Sequence, residues 1–169
     1  MLDAEQIIKH FGMKPLPHEG GYYVETYRCK DGIDGASLPS GCAGERSFST
    51  AILYLLTPQT FSALHRIKSD EVFHFYLGDP VTMLELKTDG SAVVLTLGHN
   101  LLACQHIQAI VPRNTWQGCF LNDDGKFALM GTTVAPGFEF ADLELADREV
   151  LLQQYPQQRD LIVRLTRRR

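Results

Sequence analysis

The chain has 169 residues, 16 Lys and Arg against 20 Asp and Glu, and a hydrophobic fraction of 44%. That length is one domain's worth, and an apolar fraction this high with so small a net charge excludes a disordered chain. The net charge of −4 argues against a general nucleic-acid binder, and the longest apolar run, 51–56 (AILYLL), falls far short of the roughly 20 residues that span a bilayer.

In chain order, Asp3 caps a first helix with Gln6 at the reciprocal position. Ile7, Ile8 and Phe11 form its apolar stripe, and Gly12, Pro15 and Pro17 stop it. Aromatic and β-branched bias predicts a strand over 21–28 (GYYVETYR). Residues 29–47 hold many glycines and prolines and read as a long loop, a candidate flap. Further strands are expected over 49–56, 61–67, 71–77, 81–87, 91–97, 105–111, 114–121 and 127–134, with Asp89-Gly90 at a hairpin tip. Past Pro136-Gly137 the pattern turns helical. Asp147 caps a helix carrying Val150, Leu151 and Leu152, and Pro156 opens another with Leu161, Ile162 and Leu165 inward. Arg167, Arg168 and Arg169 suit a helix C-terminus. Regularly spaced short strands predict an all-β sandwich or barrel. The chain divides as 1–20 (helix and connector), 21–140 (barrel) and 141–169 (helical segment), in one domain.

No charged-then-apolar leader opens the chain, so a cytoplasmic location is expected. Cys29, Cys42, Cys104 and Cys119 form no CxxC pair and no zinc-finger spacing, and are expected as reduced thiols.

Strand alternation narrows the polar candidates. Ala63, His65 and Ile67 share one face of their strand. Glu71, Phe73, Phe75 and Leu77 share one face of the next, with His74 and Tyr76 opposite. If the apolar faces point inward, so do His65 and Glu71, and a carboxylate there is costly unless it is paired or bound to a metal. His65 is its expected partner, either as a satisfied structural pair or as part of a site. Trp116 and Gln117 enter a strand on opposite faces, so one points inward, and Gln117 suits a polar pocket. His10, His18, His99 and His106 have no chemical context and are expected to be structural. Gly20-Gly21 lacks the spacing of a phosphate loop, and neither GxSxG nor HExxH occurs.

These residues resemble the cupin motifs. His65, Glu71 and Gly78 keep the spacing of the first motif, with Ile67 where its second histidine stands. Pro112 keeps the proline of the second motif, with Asn114 for its turn glycine and Gln117 for its histidine. The segments His18 to Tyr23, Leu64 to Arg66, Asp70 to Tyr76, Val111-Pro112 with Trp116-Gln117, and Val134 to Phe138 are similar to the small single-domain group known as the fifth cupin family. The resemblance implies a double-stranded β-helix, the jelly-roll barrel, with an N-terminal helix and C-terminal helices, usually dimeric and without a settled activity. Cupin oxygenases use three histidines and a glutamate on a metal, and this chain keeps only His65 and Glu71 of those four. No cofactor is therefore expected, and a divalent metal, if held, would be held weakly by His65, Glu71 and Gln117.

Two functions follow as expectations. One is a metal-independent isomerase, epimerase or lyase acting on a carbohydrate-like or carboxylated metabolite. In it His65 is the base, Glu71 supports it, and Tyr22 or Tyr76 supplies the acid. The alternative is a non-catalytic ligand-binding or sensing module in which His65, Glu71, Gln117, Phe73 and Phe75 orient a small molecule. A structural dimer, paired through the strand 21–28 across a two-fold axis, is the third reading.

Overall fold

The structure, a computed structural model, describes residues 2–38 and 44–167; Cys42 and the last two arginines lie outside the described residues. Helix α1 (Ala4–Phe11) has the predicted reciprocal cap: the Asp3 carboxylate accepts from the Gln6 N–H at 2.9 Å, and the Gln6 side chain accepts from the Asp3 N–H at 3.1 Å. Its Ile7 packs with Leu55, Phe127 and Leu129 on the outside of a sheet.

The strands are β1 (Lys14–Pro15), β2 (Tyr22–Arg28), β3 (Gly32–Ile33), β4 (Arg46–Ser47), β5 (Thr50–Leu56), β6 (Phe61–Arg66), β7 (Asp70–Gly78), β8 (Val81–Leu86), β9 (Ala92–Leu97), β10 (Gln108–Val111), β11 (Trp116–Leu121), β12 (Ala128–Ala135) and β13 (Glu144–Leu145). One sheet runs β1-β2-β5-β12-β7-β10 and the other β13-β6-β11-β8-β9, with every ladder antiparallel. Alternation then sorts the side chains. On β8, Val81 and Met83 enter the core between the sheets with Phe75, Cys119 and Leu121. Leu84 and Leu86 face outward instead, against Leu151, Ile162 and Leu165 of α2 (Arg148–Gln154) and α3 (Arg159–Arg164). The C-terminal helices thus cover one sheet as α1 covers the other.

The structure corrects several local expectations. Within 29–47 it places a small hairpin of β3 and β4 and a 3-10 turn at 35–37. Arg46 of that hairpin is buried and pairs with both carboxylate oxygens of Asp142, at 2.9 and 2.7 Å, which pins the segment to the barrel. The strand expected at 105–111 is confined to β10, because Asn100 and Gln105 side chains bond backbone N–H groups around a 3-10 turn at 101–103. Pro156 opens a 3-10 turn that leads into α3, and Val150 is exposed while Leu151 is buried. No helix of the described residues is long and apolar enough to cross a membrane.

Candidate functional site

A cavity of about 430 Å³ is lined by β2, β5, β6, β7 and β12, by the connector before β2 and by the segment after β12. Its buried polar end has His65 and Glu71 on strands, with Gln117 in contact with both. His65 on β6 and Gln117 on β11 are register partners, so their side chains stand side by side; Glu71 reaches them from β7 of the facing sheet. Gln117 Nε2 donates to Glu71 Oε2 and lies 3.3 Å from His65 Nε2.

A break in the β6–β11 ladder shapes this end. Gln117 pairs with His65, but Cys119 pairs with Ser62, so β6 carries one extra residue around Ala63 and Leu64. The extra residue frees backbone groups for other work. The Ala63 carbonyl lies 2.7 Å from His65 Nδ1, and the Ala63 N–H donates to the Glu19 carbonyl at 2.9 Å. It also turns Ser62 toward the cavity, where simple alternation would have kept Ala63.

The second consequence brings in a fourth group. Glu19 is 8% exposed, lines the cavity, and holds Oε2 3.5 Å from His65 Nε2. Its connector bends sharply, with His18, Gly20 and Gly21 at φ of 68°, 104° and 73°. A side chain on Gly20 would place its Cβ 2.5 Å from the Phe61 carbonyl oxygen. Tyr54 Oη donates to the Gly20 carbonyl at 2.9 Å, and Arg167 donates to the carbonyls of His18 and Glu19 at 2.7 and 3.1 Å. A backbone this strained, held from several sides, is the pattern of a loop fixed to present one side chain.

The chemistry of the cluster follows from burial. The Ala63 carbonyl only accepts, so His65 Nδ1 carries the proton. Burial lowers the pKa of the ring, against the pull of Glu71, and keeps it neutral with its lone pair on Nε2. That lone pair needs a donor, which fixes the Gln117 amide with Nε2 toward His65 and leaves Gln117 Oε1 buried without a partner among the described residues. Burial raises Glu71, opposed by His65, and pushes Glu19 up to about 8. The Cys119 thiol, raised far above its usual range by burial, is no nucleophile.

His65, Glu71, Gln117 and Phe73 therefore meet as expected, although Gln117 bridges the first two and the carboxylate within ion-pair distance of His65 is Glu19. Three expected residues do not join them. Tyr22 packs toward α1, and its neighbour Tyr23 lines the cavity instead. Tyr76 is on the outer face of β7, exposed and stacked on His74, as that strand's own alternation requires. Phe75 lies two residues deeper in the apolar core, edge-on to His99.

The profile of the family described as Cupin superfamily (DUF985) matches residues 5–146. The chain belongs to that cupin family. It is similar over its full length to protein SO0799 of Shewanella oneidensis, at 33% identity with a TM-score of 0.88 and all of both chains covered. A hypothetical protein of Leishmania major matches at 27% identity and a TM-score of 0.88, covering 99% of this chain and 100% of its own. Oxalate decarboxylase of Bacillus subtilis, at 15% identity and a TM-score of 0.55, shares the fold over 92% of this chain and 37% of that one. No curated protein matches significantly.

Membership in the superfamily raises the question of a metal. Ile67 lines the cavity with a side chain that cannot ligate, and Gln117 offers an amide. No group of three or more His, Cys, Asp or Glu among the described residues is placed to hold an ion. These residues do not fit the metal centre of the metal-dependent cupins.

Proposed function

We propose that this cupin is a metal-independent isomerase, epimerase or lyase of a small carbohydrate-like metabolite, with His65 as the base. The observation that carries the reading is the state of one ring: Nδ1 is held by the Ala63 carbonyl, and the Nε2 lone pair stands at the buried end of the cavity beside two carboxyl groups. A neutral imidazole in that position accepts a carbon-bound proton and returns it to the same or a neighbouring carbon, or gives it up after a β-leaving group departs. Gln117 and Glu71 hold the ring's orientation. Of the two substrate classes the sequence leaves open, the carbohydrate-like one fits better, since a carboxylate entering this end would face Glu19 and Glu71.

The test is solvent-hydrogen exchange. A panel of aldoses, ketoses and uronic acids is incubated with the protein in D2O and followed by proton NMR. Deuterium entering one carbon position, abolished by His65→Ala in a folded protein, is the expected result. Undiminished exchange in His65→Ala removes the base. Sugars that bind and are recovered unlabelled and unchanged leave the recognition module, which the Gln117 donor already facing Nε2 favours.

A further inference from the structure

The buried end of the cavity has a surplus of acceptors. The His65 Nδ1 hydrogen goes to Ala63, and the Gln117 Nε2 hydrogens go to Glu71 and His65. What remains in the cavity is the Glu19 carboxyl, which is buried and accepts no hydrogen bond among the described residues; Gln117, whose Oε1 is also unpartnered, contacts His65 and Glu71 without itself lining the cavity. The Glu19 carboxyl asks for N–H donors.

Charge asks for the same thing. Two carboxyl groups line this end with a single neutral imidazole, and among the described residues no Lys or Arg side chain is paired with them. The cations that line the cavity, Lys14 and Arg28, are exposed at its rim. Arg28 is there paired with Glu25 and Glu139, while Lys14 lies over the Tyr23 ring. The walls between rim and base carry Tyr23, Tyr54, Phe73, Phe138 and Phe140, surfaces that favour an organic cation over a hydrated one.

We propose that the occupant of this cavity carries an organic ammonium group, which docks at Glu19 and Glu71 against the aromatic wall. The inference rests on the reading of the cavity as a small-molecule site and narrows the substrate class from a carbohydrate-like metabolite to an amine-bearing one. The ammonium brings N–H donors and one positive charge to the Glu19 carboxyl, and docking ionises Glu19 with release of its proton.

A matched trio decides it: cyclohexylammonium, cyclohexanol and cyclohexanecarboxylate, compared on the full chain at neutral pH by titration calorimetry and ligand-observed NMR. The ammonium is expected to bind at least about tenfold more tightly than the alcohol, with the carboxylate weakest. Glu19→Gln, checked by circular dichroism, should erase that advantage. Equal affinities, a carboxylate in front, no binding of any of the three, or an ammonium preference that survives Glu19→Gln each overturns the proposal. So does displacement of the ammonium by micromolar Mg2+ or Mn2+, since the cation of this site would then be a metal. The wild-type ranking stands on its own should the variant fail to fold. Failure here is distinct from failure of the base. An ammonium held without exchange removes turnover and keeps this inference, while His65-dependent exchange on a neutral sugar in a charge-blind cavity does the reverse.

Discussion

The same strands build two opposite interiors. At one end the inward positions of β6, β7 and β11 are His65, Glu71 and Gln117, with Glu85 of β8 in register beside Gln117. Two to four residues along the same faces they become Phe73, Phe75, Met83, Val81, Cys119 and Leu121. Backbone geometry and burial hardly change over that distance, but the work does. The apolar end gains free energy by excluding water, whereas the polar end holds Glu19, His65 and Glu71, whose ionisation burial resists. The barrel is stable because of one end and capable of chemistry because of the other.

That division is sharpest when each end is damaged separately. His65→Ala should lower exchange on the panel by about 10²–10⁴-fold, the usual contribution of a general base, with a small change in urea midpoint. Met83→Ala should do the opposite. A fully buried side chain in the middle of the core is lost, at a cost of roughly 2–5 kcal/mol in urea unfolding, while labelling by the folded protein persists. Equal stability losses for the two variants would erase the division.

Glu19 gives a pH test of the polar end. Its folded pKa, pushed up to about 8 by burial, lies above the ordinary value, so the folded state holds the proton more tightly than the unfolded chain. The stability this contributes is complete below pH 4.5 and is lost as pH rises through about 8. His65 works in the other direction, its lowered pKa costing stability as pH falls through 6.5. The quantity to measure is therefore the difference between wild type and Glu19→Gln. Relative to the variant, the wild type should lose about 5 kcal/mol between those two limits for Glu19. A difference that stays flat from acid to alkaline pH would mean that Glu19 sits in water.

Much of this was legible in the sequence because side-chain alternation has a period of two and the strands keep it. Alternation brought His65, Glu71 and Gln117 together and put His74 outside. It failed where the backbone left regular geometry. Tyr22 and Tyr23 exchange roles at a strand entry no periodic pattern marks, and the extra residue near Ala63 moves Ser62 inward without any signal in composition. Glu19 was missed because connectors have no period. Its signal was the Gly20-Gly21 pair, which serves neither a phosphate nor a plain turn but the bend that carries the neighbouring carboxyl inside.

The smallest expected effect tests that bend. Arg167, next to the helical C-terminal segment, reaches back across the barrel and donates to the carbonyls of His18 and Glu19. Arg167→Ala removes two hydrogen bonds from partly exposed partners, so global stability should fall by only about 1 kcal/mol. The local consequence is larger in proportion, because the released segment includes a non-glycine residue with φ of 68° that relaxes once its carbonyl is free. Hydrogen exchange at the Glu19 and Gly20 amides, which are bonded to Pro17 and Leu16, should quicken more than exchange in β11, and ammonium affinity should drop several-fold. Arg167→Lys keeps the charge but cannot span two carbonyls with a planar fork, so it should behave like the alanine variant. A lysine variant that restores both readouts would make the clamp a matter of charge alone, and the connector would then owe its shape to Tyr54 and the Ala63 N–H.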